Sequence, residues 1–395
     1  MKRREFIKQS SLASGMLFVP QFLKVIENSS SPILNNKKLI VIQLKGGNDG
    51  LNTIIPYRND IYYKKRKSLA LHKSNILKLN DEIGIHQSLK PLKKLYNRGC
   101  LSIINNVGYP NPSLSHFRST DIWQTASDSN EFLKNGWIGR YLDSTNSNPY
   151  NAIEVDETLS LMLKGKKHNG LAITDPYIFN RNAREPFFNN LIQNSDPHLN
   201  EHNLGYLYNT LIDTQSSAKY IYEKSKNYSS KATYPQNIFG KQMKTISGFI
   251  NSGLETQIYY AALSGFDTHA NQKNKQERLL KMYADCMEVF IDDLKKNNTF
   301  KDVLILTFSE FGRRVEQNQS NGTDHGAANN VFIMSKNLKK EGFYNELSSL
   351  ENLDSRGNIK YEVDFREIYA TILDKWLGVN DANVLNKSFS KLNFI

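Results

Sequence analysis

The chain has 395 residues, 39% of them apolar, and a net charge of +12, enough material for one large α/β domain or two smaller ones. The lysines behind that charge are scattered through polar, Asn-rich stretches. There is no like-charge block and no basic–aromatic interleaving, which argues against a charged tail and against nucleic acid as a partner. Most of the charge is a solvated surface, and long-range attraction of anionic esters is the functional role it suits.

At the amino end, Arg3, Arg4, Glu5, Phe6, Ile7 and Lys8 resemble the twin-arginine export signature R-R-x-F-[LI]-K. The apolar stretch after it, Leu12 to Leu23, is too short to span a bilayer and is broken by Gly15 and Pro20. Residues 1–30 are therefore expected to be a signal segment, and 31–395 an exported periplasmic or secreted domain. No later stretch has eighteen consecutive apolar residues, so no transmembrane segment is expected in the mature chain.

Leu39 to Leu44 is a short apolar run ending in Gly46 and Gly47, the pattern of a buried parallel strand entering a glycine turn. Ser88 to Gly99 has helical spacing, and Leu101 to Gly108 predicts a second strand, giving a βαβ signal. A Pro-rich loop leads to a helix over Ser115 to Thr125. The less regular middle, 145–242, is expected to be an inserted cap on the same domain. Gln257 to His269 predicts a strand, Gln276 to Lys296 an amphipathic helix, and Asp302 to Gly312 the strongest strand. Asn329 to Ser335 predicts another strand, and Phe365 to Gly378 a closing helix stopped by its glycine. Two cysteines, Cys100 and Cys286, form neither a disulfide framework nor a metal spacing, and Cys100 reads as a buried structural thiol.

Four motifs carry acids and imidazoles at or just beyond strand ends: QLKGGNDGLN, SGFDTH, LILTFSEFGRR and GTDHGAAN. Side chains at the carboxyl ends of neighbouring strands converge on one crevice in an open α/β sheet. Converged Asp, Glu and His are what a divalent ion needs. Asp49 follows a glycine turn and faces either a ligand or its own Asn-Asp-Gly turn; Asn52 could support it from behind. Asp267 and His269 are two apart, so on extended backbone both can grip one ion. Glu310 leaves an apolar strand and must be paired, solvated or metal-bound. Arg313 and Arg314 can pair with it or hold a substrate oxyanion. Asp324 and His325 precede the next strand and can fall beside the same site. In SLSHF, Ser113, Ser115 and His116 sit at a loop-to-helix junction that suits an N-cap or a nucleophile.

GGNDGLNTIIPY, SHFRSTDIW, GFDTH, LTFSEFGRR and GTDHGAAN, behind a twin-arginine signal, resemble the exported bacterial proteins grouped as domain of unknown function 1501. The likeness runs across nearly the whole mature chain. That family is similar to the alkaline phosphatase and sulfatase superfamily. The resemblance implies a three-layer α/β sandwich with a mainly parallel central sheet and metals at the carboxyl ends of its strands. By motif, Asp49 matches an acid that binds a second metal, and Asp267, His269 and His325 match the first metal site. Glu310 matches the acid after the late central strand, and Ser115 the nucleophile, with Ser113, Ser119 and Thr120 as alternatives. Two positions depart from the pattern: Phe311 stands where a His ligand follows the acid, and Leu114 where an Arg precedes SHF.

The expectation is an exported metal-dependent hydrolase of phosphate or sulfate esters, small or on a polysaccharide. One divalent ion (zinc, manganese or calcium) is expected rather than two, with Ser115 or a metal-bound water attacking and Arg313 or Arg314 holding the oxygens. The alternative is a non-catalytic exported protein of the same fold that binds a protein partner or a polysaccharide.

Overall fold

The computed structural model describes residues 36–193 and 203–395, so the twin-arginine segment lies outside the described residues. Strand β1 (Lys38–Lys45) is the predicted first strand, extended by one residue at each end. Ile40, Ile42 and Leu44 pack into one core, Leu39 and Val41 into a second core on the opposite face. A strand covered on both faces needs apolar residues at successive positions, which is why no polar alternation marks it.

The other strands of the central sheet begin, in chain order, with β2 (Leu101–Gly108), β3 (Ala152–Glu154), β4 (Leu171–Ala172), β5 (Ile258–Ser264) and β6 (Val303–Phe308). After them come a two-stranded ribbon, β7 (Arg313–Gln317) and β8 (Thr323–His325), then β9 (Asn329–Ser335), β10 (Gly342–Phe343) and β11 (Val363–Asp364). The nine-stranded central sheet runs β10-β2-β9-β6-β1-β5-β3-β4, with β11 beside β2. Its pairings are parallel except those of β9, which is antiparallel to both β2 and β6. The antiparallel strand matters. The segment before β9 reaches the same sheet edge as the segments after β1, β2, β5 and β6, so motifs far apart in sequence meet at one crevice.

Helices cover both faces and make the three layers. On one side lie α1 (Lys90–Asn97), α3 (Ile238–Asn251) and α4 (Gln272–Lys296), with Leu92, Met243 and Phe290 in the core. On the other lie α2 (His116–Thr125) and α5 (Phe365–Thr371). Trp123 of α2 stacks between Phe308 and Phe365, with centroids 4.6 and 4.3 Å away. That stack fixes the helix against the end of β6, and so sets where its amino end falls.

The middle segment is more than a cap. Its β3 and β4 extend the sheet edge beyond β5, and α3 covers a core face. Buried Asp293 of α4 accepts hydrogen bonds from the Ser230, Tyr234 and Ser247 hydroxyls, tying this segment and α3 to α4. The closing helix is shorter than predicted. It passes into a π-helical turn at Ile372–Trp376 before Gly378, at φ 71°, ends it. Cys100 is half-buried and Cys286 buried, and both are free thiols. Among the described residues no helix is long and apolar enough to cross a membrane.

Candidate metal centre

β1 and β5 both end in glycine turns that pack on each other. Gly46 and Gly265 take φ of +118° and +117°, and a Cβ on Gly46 would lie 2.3 Å from the Asp267 backbone nitrogen. Only a glycine lets the two turns approach so closely. Asp267 is thereby held at the crevice, and three histidines converge on it.

Asp267 Oδ1 lies 3.3 Å from His116 Nε2, 3.1 Å from His269 Nε2 and 3.4 Å from His325 Nε2. The last two nitrogens are 2.9 Å apart. Ligands about 2.0–2.1 Å from a tetrahedral zinc are about 3.3 Å from one another, so these spacings suit one ion. His116, Asp267 and His325 each place a ligand atom within 4.8 Å of the others.

The far nitrogen of each ring faces an oxygen. His116 Nδ1 is 2.9 Å from Glu310 Oε1, and His325 Nδ1 is 2.6 Å from the Leu114 carbonyl. His269 Nδ1 is 3.7 Å from Asp324 Oδ1. An acceptor at Nδ1 assigns the proton to that nitrogen and leaves the Nε2 lone pair for a cation. His116 Nε2 is buried and has no hydrogen-bond partner, so its lone pair is available to a cation. The donor set fits a metal.

Electrostatics separate the two rings. The hydrogen bond to Glu310 raises the His116 pKa, whereas burial lowers that of His325. Burial alone would raise the Asp267 carboxyl, but the Arg313 hydrogen bond and charge overcome it and hold it at about 2. Asp267 is thus an anion at neutral pH beside the three rings.

The other expected residues take supporting places. Glu310 does not pair with Arg313 or Arg314. It is buried, accepts from the Gly46 N–H at 2.8 Å, and orients His116. Asp324 is half-exposed, lies 3.7 Å from His269 Nδ1, beyond hydrogen-bond reach, and accepts from the Asn318 side chain. Asp49 makes its contacts elsewhere: its buried carboxylate pairs with Arg66, accepts from Gln272 and caps the turn at Leu51. The expectation of Asp49 as a metal ligand therefore gives way to a buried ion pair, with Asn52 also bonded to Arg66.

Arg313 is not free to grip substrate. Nε donates to the Gly47 carbonyl, Nη1 to Thr323, and Nη2 to Gly46, Phe266 and Asp267. It clamps the two glycine turns together. Successive residues of a strand face opposite ways, and among the described residues Arg314 makes no hydrogen bond or ion pair with the cluster. Phe311 is an apolar wall, its ring 4.8 Å from His116 and 4.6 Å from His325.

Ser115 is the N-cap residue of α2, yet its side chain makes no capping hydrogen bond and is exposed. Ser119, by contrast, is buried and bonded to Tyr109 and the Ser113 carbonyl. The sequence pattern drew attention to the hydroxyls of the SLSHF motif and gave no sign that His116 joins the cluster. What the sequence does show is an imidazole at the first position of a helix that follows a strand end. A cavity of about 540 Å³ lined by Arg58, Asn59 and Asn80 shares no residue with the cluster.

Among solved structures, the chain is similar to the lipoteichoic acid synthase LtaP of Listeria monocytogenes, at 11% identity and TM-score 0.42, over 91% of this chain and 78% of that one. It is also similar to the zinc complex of the periplasmic domain of EptC from Escherichia coli, at 11% identity and TM-score 0.37, over 76% and 73%. A third likeness is to the sulfatase PsFucS1 from Pseudoalteromonas, at 12% identity and TM-score 0.40, over 90% and 70%. Comparison with curated proteins finds no match. Residues 36–388 match the family described as proteins of unknown function, DUF1501, and the chain belongs to that family.

Proposed function

We propose that this chain is a metal-dependent hydrolase of phosphate or sulfate monoesters, exported by the twin-arginine route to the periplasm or beyond. The observation that supports the reading is the convergence of three imidazole Nε2 atoms on Asp267 Oδ1, with the His116 and His325 rings each backed by an oxygen at Nδ1.

His116, Asp267, His269 and His325 would hold the ion. An imidazole-rich set favours zinc, then manganese, and disfavours calcium, which takes oxygen ligands. When bound, such an ion polarises the ester and offsets the charge of the transition state. One ion is expected, because Phe311 and the Asp49–Arg66 pair stand where a second would need ligands.

Ser115 supplies the attacking oxygen. Its hydroxyl is unbonded at the amino end of α2, where first-turn N–H groups favour an anion. Attack forms an Oγ–P or Oγ–S bond and breaks the bond to the leaving alcohol, whose oxygen takes a proton. Water then cleaves the seryl ester, which releases inorganic phosphate or sulfate and returns a proton to the serine oxygen.

Metal content by mass spectrometry, with turnover of aryl phosphate and aryl sulfate, tests this in wild type and in Asp267→Ala/His325→Ala. The expected result is about one ion and turnover in the wild type, both lost in a still-folded variant. A folded wild type that takes up no added ion sinks the reading. An ion without turnover of either ester class favours the alternative, a non-catalytic protein that binds a partner or a polysaccharide.

A further inference from the structure

The apolar run Leu39 to Leu44 of β1 contains a single polar residue, Gln43. It is fully buried and shares a strand face with Leu39 and Val41, the face covered by α2. Its Oε1 accepts from the Tyr260 hydroxyl of β5 at 2.7 Å. Its Nε2 points at Glu310 Oε2, 3.4 Å away, and at Thr120 Oγ1 of α2, 3.5 Å away. Thr120 lies one helical turn beyond His116, on the same side of α2. An ionised carboxylate only accepts and a neutral phenol donates to an amide oxygen, so the orientation of the Gln43 amide is fixed from both ends. The donors around Glu310 show what that amide supplies. Oε1 receives the Gly46 N–H at 2.8 Å and faces His116 Nδ1 at 2.9 Å. Oε2 has Gln43 Nε2 and Ser309 Oγ beside it, each at 3.4 Å. The serine has one proton, and the Leu44 carbonyl at 2.6 Å takes it. Among the described residues, the Gln43 amide is therefore the donor left to Oε2.

We propose that Gln43 is a positioning residue of the metal centre: it holds Glu310 by one carboxylate oxygen and so sets how the other presents His116 to the ion. The inference rests on the metal-dependent reading for the ion itself. Gln43 bonds to no proposed metal ligand and acts only through Glu310. At 3.4 Å its contact with Oε2 is long, but the acceptor is a buried charge, for which each donor counts for more than it would in water. Without that donor a buried carboxylate oxygen is left unsatisfied. The carboxylate then turns to find another, and the oxygen that holds His116 turns with it. One hydrogen-bonded line thus runs from Tyr260 through Gln43 and Glu310 to His116, joining β5, β1 and β6 to the helix that carries a ligand.

Zinc affinity, measured by chelator competition on the full chain, tests this in a double-mutant cycle of Gln43→Leu and Glu310→Gln. Gln43→Leu alone is expected to weaken zinc binding roughly tenfold, the lower end of what a residue behind a metal ligand contributes. In the Glu310→Gln background there is no carboxylate to hold, and the same change is expected to alter affinity by less than about twofold. Tyr260→Phe loosens the amide without altering β1. It is expected to weaken binding about threefold, the worth of one hydrogen bond, and it decides the test if Gln43→Leu does not fold. Urea unfolding of the metal-free proteins is followed in parallel. Lower stability with wild-type zinc affinity would overturn the proposal, because Gln43 would then serve only the packing of the sheet. So would a loss of affinity that is the same whether residue 310 is Glu or Gln. A wild type that takes up no zinc sinks the metal-dependent reading and this inference together, whereas a zinc-binding wild type matched by Gln43→Leu overturns the inference alone.

Discussion

His116 Nδ1 lies 2.9 Å from Glu310 Oε1, and Glu310 is 2% exposed. The carboxylate also accepts from the Gly46 N–H at 2.8 Å, so one acid at the end of β6 fixes an imidazole from α2 and the turn after β1. Replacing Glu310 by Gln keeps the volume but removes the charge that holds the His116 proton on Nδ1. Metal affinity in Glu310→Gln is expected to fall roughly 10–100-fold, the usual effect of losing a carboxylate behind a ligating histidine. Competition with a chelator of known affinity measures it. An unchanged affinity would mean that Glu310 does not orient the ring.

Asp49 and Arg66 give a contrasting expectation. Both side chains are fully buried and lie 2.5 Å apart. Removing one partner strands an uncompensated charge, so Asp49→Ala is expected to lose about 3–5 kcal/mol of stability in urea. The double variant Asp49→Leu/Arg66→Met is expected to recover part of that loss. Metal content of the folded fraction should stay at one ion per chain in both. Loss of the ion from a folded Asp49→Ala protein would return Asp49 to the ligand set.

The strands and main helices were legible because each buries apolar residues at a regular period. β1 and β6 are continuous apolar runs covered on both faces, and α4 repeats its apolar residues with the helical period. That Asp267, His269 and His325 would meet was legible because each stands next to a strand that the pattern had already placed. His116 was not, because its role depends on Trp123 stacking α2 against Phe308, a contact between residues far apart in sequence. The same holds for Arg66. Nothing near it in the chain announces that its guanidinium meets Asp49 and the carbonyls of Arg314 and Val315. Arg313 was misjudged for a related reason: sequence shows a cation but not the five acceptors that surround it.

Gly46 tests how the glycine turns position Asp267. In Gly46→Ala the new Cβ would meet the Asp267 nitrogen at 2.3 Å, on a backbone with φ of +118°. Either Asp267 or the turn must move, and metal affinity is expected to drop at least tenfold along with stability. Gly357 also has positive φ, 79°, but faces open space. Gly357→Ala is therefore expected to cost only the strain of its backbone, about 1 kcal/mol, with metal affinity intact. Equal effects at the two positions would mean that strain alone, and not the close approach, accounts for the loss.

Glu154, at the carboxyl end of β3, makes the pH expectation. Burial raises its carboxyl from 4.5 to about 7, against the opposing hydrogen bond from the Ser160 N–H. The folded state therefore holds a proton that the unfolded state has released. A raised carboxyl pKa contributes stability below the unfolded value and loses it as pH rises through the folded one. Wild-type stability from this group should fall between about pH 4.5 and pH 7, by up to roughly 3 kcal/mol, and be flat above. Glu154→Gln keeps an acceptor for Ser160 and cannot ionise. The difference in unfolding free energy, variant minus wild type, is thus expected to grow in the variant's favour across that window. Taking the difference removes every other group that titrates alike in both proteins, the histidines of the cluster included. A difference that stays constant from pH 4.5 to pH 8 would show that Glu154 is ionised in the folded protein, compensated by a charge such as Lys45, which already acts to lower it.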